Sequence, residues 1–247
     1  MGALVNKAYM NAVTAPQNVT LDQSRAIGPQ VHSILRQQII HGLLPPGARL
    51  SESECAASFA TSRQPVREAF IKLSEEGLVE VRPQRGTLVR RISQEAVLEA
   101  RFVREAIEAD VVRRVTELGD PAVLRELQRQ LQRQNQVTAG NPGDFMALDE
   151  RFHRTLAEAA GIGQAWKIVE GIKAQMDRVR FLSFDQVHLG KLIAQHTAIV
   201  DGIARGDTRR AEAAIRAHLH EILHDLPQIR AAHPDLFEPI SPITDSP

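Results

Sequence analysis

The stretch from 31 to 90 constrains this chain most, and its centre is Ser62-Arg63-Gln64-Pro65-Val66-Arg67-Glu68-Ala69. There a polar, twice-cationic cluster opens a helix whose opposite face carries Val66, Phe70 and Leu73. Such a helix can seat its apolar side in a core while its N-terminal tip turns free N–H groups toward anions. The flanking residues agree on a small module. Val31, Ile34, Leu35 and Ile39 fall at helical spacing over 29–41, and Gly42 with Pro45-Pro46-Gly47 stops that helix. Ser51 is placed to cap a short helix through Phe59, with Glu52 and Glu54 in its first turn. Thr61-Ser62 caps the next helix, which runs to Glu76, and Gly77 stands where a left-handed residue ends it. Leu78–Val81 and Thr87–Val89 flank Pro83-Gln84-Arg85-Gly86 and predict a hairpin. Helix, helix, helix, hairpin is the order of a winged helix-turn-helix.

Charge supports an anionic partner for this module. The net charge of zero hides a split: residues 25–91 hold ten Lys/Arg against six Asp/Glu, and residues 92–247 are acidic by four. A basic module joined to an acidic one suits polyanion binding by the first. Within it Ser62 and the helix tip can position phosphates, and Arg63, Gln64 and Arg67 can address base edges. Arg85 and Gly86 form a wing tip able to approach a minor groove. The bland alternative is that Arg63 and Arg67 merely pair with nearby acids on a solvated face. A single cysteine, Cys55, excludes an intrachain disulfide, suits a reducing cytoplasm, and reads as a small buried hydrophobe. The sequence shows no secretory leader and no membrane span.

Beyond Ile92 the pattern is helical, broken at Gly119-Asp120-Pro121, Gly140–Gly143, Gly161-Ile162-Gly163, Asp185–Gly190 and Gly206-Asp207. These breaks predict six or seven helices joined by short connections, and hence an antiparallel bundle. The expected fold is mainly α: a winged helix-turn-helix joined to an all-α six/seven-helix bundle. The expected bounds are a flexible arm at 1–24, the winged module at 25–92, the bundle at 93–230 and a fraying tail at 231–247. In the bundle, Asp149 and His153 share one helix face at i, i+4, with His196 and His218 on later helices. Three neutral imidazoles and a carboxylate would suit Zn, Ni or Mn. The chain holds nine histidines, and His220/His224 show the same spacing, so spacing alone does not choose a ligand set. Arg101 either clamps a carboxylate ligand or pairs with Glu105 one turn on. Phe145, Phe152, Trp166, Phe181 and Phe184 are expected in the core or against a pocket.

Two resemblances sharpen these readings. Gly42–Leu50, Ser62–Ala69, Glu76–Val79 and Arg85-Gly86-Thr87 together resemble the winged helix-turn-helix of the GntR family of bacterial transcription regulators. Gln64 departs from it, where Thr is common, and Cys55 stands where Leu is usual. The resemblance implies that Ser62, Arg63, Gln64 and Arg67 contact operator DNA and that Gly86 is the wing glycine. Glu99–Glu105, Asp149–His153 with Ala159–Gly161, and Gln195–Asp201 with His218-Leu219 resemble the FCD effector domain of the FadR-like branch. Ile162 departs from it, standing where Asn is usual. That likeness implies a divalent metal held by Asp149, His153, His196 and His218 at the floor of an effector pocket. His220 and His224 fall outside that pattern and are expected to face solvent.

The reading is a homodimeric DNA-binding regulator, a repressor, on an inverted-repeat operator. Its affinity would be governed by a small organic acid in a metal-containing pocket. One rival is a regulator whose effector is the metal itself. A metal-dependent hydrolase is the other, disfavoured because Glu150 points away from the Asp149 face and no other acid or base accompanies the cluster.

Overall fold

A computed structural model describes residues 20–82, 86–137, 142–184 and 186–239. They form two compact units: one spans the chain up to Gln94 together with the residues from His233 on, and the other spans Glu95–Ala232.

The first unit is the winged helix-turn-helix. Helix α1 (Ile27–Ile40) buries Val31, Leu35 and Ile39 against α3 (Arg63–Glu75), which buries Val66, Ala69, Phe70 and Leu73. Glu76 clamps the pair, taking His32 Nε2 at 2.7 Å and Arg36 Nε at 2.8 Å. Between them, α2 (Glu52–Ser58) starts on Ser51, whose hydroxyl accepts from Glu54 N–H. Ser62 holds the N-cap position of α3, yet its side chain makes no capping hydrogen bond. Gly77 ends α3 at φ +69, with Gly77 N–H donating to Ser74 and Leu78 N–H to Leu73, a Schellman stop. The wing is a three-stranded antiparallel sheet, β1 (Arg49–Leu50), β2 (Val79–Arg82) and β3 (Gly86–Val89), ordered β1-β3-β2. Gly86 lies in β3 opposite Arg82, so it belongs to the strand rather than the loop. The two-residue β1 has no alternation to read and was not expected.

The described part of the expected tail, 231–239, is packed rather than frayed, and the rest of it lies outside the described residues. Pro227 sits inside a helix that continues to Ala232, and Pro234 opens a short 3-10 turn. Phe237, 1 % exposed, then bridges to Ile92, with Ile92 N–H donating to Leu236 and Glu238 N–H to Ile92. Phe237 is therefore an apolar anchor of the first unit, a contact no local pattern announces.

The second unit comprises α4 (Gln94–Leu118), α5 (Pro121–Gln134), α6 (Pro142–Ala159), α7 (Gly163–Ile172), α8 (Ala174–Leu182), α9 (Gln186–Ala204) and α10 (Thr208–Ala232). Asp120 caps α5, accepting Ala122 N–H at 2.7 Å just before Pro121. The stretch after Gly163 is two helices rather than one, divided at Lys173. Conversely Gly190, expected at a break, lies within α9. Gly206 (φ +64) and the Asp207 cap turn α9 back onto α10. The two pack so closely that a Cβ on Gly202 would meet Ala211 Cα at 2.7 Å. Val112, Leu127, Phe152, Val169, Ile199 and Ile215, all fully buried, make the core around the Asp/His cluster.

Candidate nucleic-acid interface and metal centre

The apolar anchor of α3 leaves Ser62, Arg63, Gln64 and Arg67 exposed on one side. Both arginines rest on one carboxylate of α2: Arg63 Nη2 donates to Glu52 at 2.9 Å and Arg67 Nε lies 3.5 Å from it. Gln64 donates to Glu68 at 3.0 Å. The acid partner of both arginines is thus Glu52, while Glu68 takes Gln64. These are solvated pairs on side chains about two-thirds exposed (69 % and 66 %), weak enough for a phosphate or guanine to displace. Arg85 lies outside the described residues. Gly86 adopts φ +85, and a Cβ there would come within 3.1 Å of Arg49 Nε. Arg49, exposed on β1, is therefore a cation beside the wing glycine to which the sequence reading gave no role.

In the second unit, side chains from three helices meet at one point. Asp149 and His153 (α6), His196 (α9) and His218 (α10) each offer a donor atom, all within 4.8 Å of one another and all buried. Each imidazole is anchored through Nδ1. His153 Nδ1 lies 2.5 Å from Glu108 Oε2, His196 Nδ1 2.8 Å from Gln134 Oε1, and His218 Nδ1 3.0 Å from Gln195 Oε1. Glu108 faces opposing influences: burial raises its pKa, but Arg104 (Nε at 2.6 Å) and then His153 bring it down to about 2. The Glu108 contact therefore holds the Nδ1 side of His153 away from the cluster, though the pair is not aligned as a hydrogen bond. Gln195 gives its NH₂ to Glu221 at 2.9 Å, which turns its carbonyl toward His218. For His196 and His218 the amide oxygen places the proton on Nδ1 and leaves the lone pair on Nε2.

Those Nε2 atoms converge. His153 and His218 Nε2 stand 3.2 Å apart, and Asp149 Oδ1 lies 3.4 Å from His196 Nε2 and 3.8 Å from His153 Nε2. Two acceptor lone pairs at 3.2 Å repel unless a proton or cation lies between them. Burial lowers the His196 pKa, against the pull of Asp149, and lowers that of His218 well below its ordinary value, helped by His196 and His153. Burial opposes ionisation of Asp149, but Arg180 and then His196 outweigh it and hold the carboxyl well below the usual range. His196 Nε2 and Asp149 Oδ1 also lack a well-directed hydrogen bond. Two imidazoles, His196 and His218, that burial keeps from charging, an ionised carboxylate and buried ligand atoms turned toward one point are what a divalent cation requires, so these residues fit one. Phe152 stacks on His196 at 4.4 Å between ring centres, and Trp166 lies parallel to His153 at 6.0 Å, so the aromatics wedge the imidazoles in place.

Beside the cluster is a cavity of about 30 Å³, room for one or two waters, lined by His218, Arg104, Arg180, Glu221, Phe145 and Met176 among others. Arg180 Nη2 reaches Asp149 Oδ1 at 2.7 Å. Arg101 is not on this lining: it pairs with Glu105, which Arg216 also meets at 3.0 Å. The side of α4 that faces the cavity is set three residues later, by Arg104. His224 is exposed, whereas His220 is half-buried and 3.4 Å from Glu105. Glu150 turns to Arg154 at 3.0 Å and Lys173 at 3.4 Å. Glu108, Gln134, Gln195, Arg104 and Arg180 went unread in the sequence. Arg104 and Gln195 stood inside the Glu99–Glu105 and Gln195–Asp201 motifs without being given a role.

Known proteins match both halves. Residues 28–89 match the family described as bacterial regulatory proteins, gntR family, and residues 99–221 match the FCD domain. The HTH-type transcriptional repressor RspR of Escherichia coli (strain K12) is 40 % identical over 219 residues, covering 88 % of this chain and 96 % of that protein. An HTH-type transcriptional regulator in an unstable DNA locus of Streptomyces ambofaciens is 41 % identical over 204 residues, covering 82 % of this chain and 86 % of the relative. The structure of E. coli McbR/YncC shares the fold at a TM-score of 0.70 and 21 % identity, covering 83 % of this chain and 98 % of that one. With a winged reader ahead of a helical FCD domain and relatives matched nearly end to end, the chain belongs to the GntR family and is a DNA-binding transcription regulator.

Proposed function

We propose that this regulator is a repressor whose operator affinity is set by a small organic acid bound beside a divalent metal. Repression is inferred from the likeness to RspR, a transcriptional repressor. Ser62, Arg63, Gln64 and Arg67 would read the major groove, while Gly86 and Arg85, with Arg49 alongside, would serve the wing. One recognition helix reads only a few base pairs, so a homodimer on an inverted repeat is expected. Such work takes place on the chromosome, in the cytoplasm. No helix among the described residues is long and apolar enough to cross a membrane.

Asp149, His153, His196 and His218 would hold the metal, and the observation that carries this is the convergence of three Nδ1-anchored imidazoles on one carboxylate oxygen. The nitrogen-rich donor set suits Zn, Ni or Mn. When bound, such an ion supplies a Lewis-acidic point to which a carboxylate can attach. Arg104 and Arg180, which line the adjoining cavity, take the anion-clamping role first considered for Arg101. A ligand larger than a water or two must widen that cavity, and widening is a movement by which ligand could bias the domain.

Elemental analysis of purified protein tests the centre. The full chain should carry close to one transition metal per protomer, and His196→Ala should lose most of it. Unchanged metal content would remove His196 from the site. Arg67→Ala should abolish preference for selected genomic fragments while the helical content stays. Operator affinity governed by Zn²⁺ or Ni²⁺ alone, with organic acids inert, would favour a metal-responsive regulator instead.

A further inference from the structure

We infer that Arg180 is a built-in competitor for the metal: its guanidinium and a divalent ion contend for the same oxygen of Asp149, and this sets how tightly the centre loads. The inference rests on the metal reading above. Asp149 Oδ1 is the atom that His196 Nε2 and His153 Nε2 face at 3.4 and 3.8 Å, and Arg180 Nη2 holds it at 2.7 Å. An ion bound through that oxygen would lie roughly 2.0–2.2 Å from it. The ion and the guanidinium nitrogen would then be no more than about 5 Å apart, where like charges shielded from water repel strongly. The surroundings offer little shielding: the Arg180 side chain is 14 % exposed and that of Asp149 2 %. The next carboxylate, Asp177, is farther, at 3.9 Å, and is already engaged by Lys173 at 2.5 Å. Arg180 also lines the cavity, so any anion there that draws the guanidinium away would favour the ion, and the converse holds by reciprocity.

The opposite role would be that of a support, with Arg180 orienting Asp149 for the ion as outer partners of metal ligands commonly do. The two roles differ in sign. Zn²⁺ affinity of the full chain is measured by competition with a chromophoric chelator for wild type, Arg180→Gln and Arg180→Lys. Glutamine keeps a donor for Asp149 and removes the charge; lysine keeps the charge. Arg180→Gln should bind Zn²⁺ tighter by about ten-fold or more, and Arg180→Lys should stay within about three-fold of wild type. Equal or weaker binding by Arg180→Gln overturns the competition, as does equal tightening by both variants. If Arg180→Gln folds poorly without the ion, zinc release to excess chelator is timed from loaded protein. Slower release than wild type supports the inference, and equal or faster release overturns it. A wild type that takes no Zn²⁺ removes the metal reading itself, whereas a wild type that binds without tightening in Arg180→Gln removes only the role of Arg180.

Discussion

Gly202 joins the stability of the helical domain to the geometry of its centre, so Gly202→Ala tests both. A Cβ at this position would stand 2.7 Å from Ala211 Cα and N and 2.9 Å from Ala211 Cβ. Ordinary carbon contacts are about 3.5–4.0 Å, so α9 and α10 must part by roughly 0.7–1 Å. Overpacking of this kind costs about 1–3 kcal/mol. Against it stands the helix propensity of alanine over glycine, about 1 kcal/mol. The expected net is a loss of up to about 2 kcal/mol, or a fall of up to roughly 6 °C in the melting midpoint for a domain of this size. Gly190, exposed in the same helix and with nothing within 4 Å of where a Cβ would stand, supplies the control. Gly190→Ala should gain about 0.5–1 kcal/mol. Thermal and urea melts followed by circular dichroism decide between them. Because α9 carries His196 and α10 carries His218, prying the helices apart should also weaken Zn²⁺ binding by about ten-fold, since ligand distances tolerate only about 0.2 Å. If Gly202→Ala proves as stable and as metal-competent as Gly190→Ala, the close α9–α10 contact does not set the centre.

Two further outcomes follow from the geometry. Glu52→Gln frees Arg63 and Arg67 and removes a negative charge beside them, so affinity for a random-sequence duplex at low salt should rise about three- to ten-fold. Fluorescence anisotropy across a salt series measures it, and weaker binding would mean that Glu52 pre-sets the arginines for DNA. Cys55 is 3 % exposed, and burial, then Glu54, raise its pKa to about 11. The thiolate is the reactive form, so iodoacetamide labelling at about pH 8 should run about 100-fold or more below a free thiol and climb with pH up to about 11. Rapid labelling of native protein at that pH would contradict the buried placement.

Much of the winged unit was legible because its signals are local. The Ser51 cap, the Gly77 stop and the β-prone runs beside Pro83–Gly86 each lie within a few residues of what they control. The division at Lys173 left only a faint trace: Gly171 stands two residues before it, but no Pro accompanies it and the Lys173 backbone stays near the helical region. The return of Phe237 to Ile92 joins residues far apart in the chain, and no periodic pattern encodes it.

For the centre, sequence by itself determined the Asp149/His153 pair, because one helical turn places i and i+4 side by side whatever surrounds them. The likeness to the FCD pattern added His196 and His218. Only tertiary structure decided that Nε2 rather than Nδ1 turns inward, since Glu108, Gln134 and Gln195 arrive from α4, α5 and α9 to take the other nitrogen. The same holds for the arginines. Arg101 and Arg104 are one turn apart on α4, and each has a carboxylate four residues on, Glu105 and Glu108. Which of the two meets the cavity is set by how α4 is rotated in its packing, and a rotation is a property of the assembled core that no stretch of one helix contains.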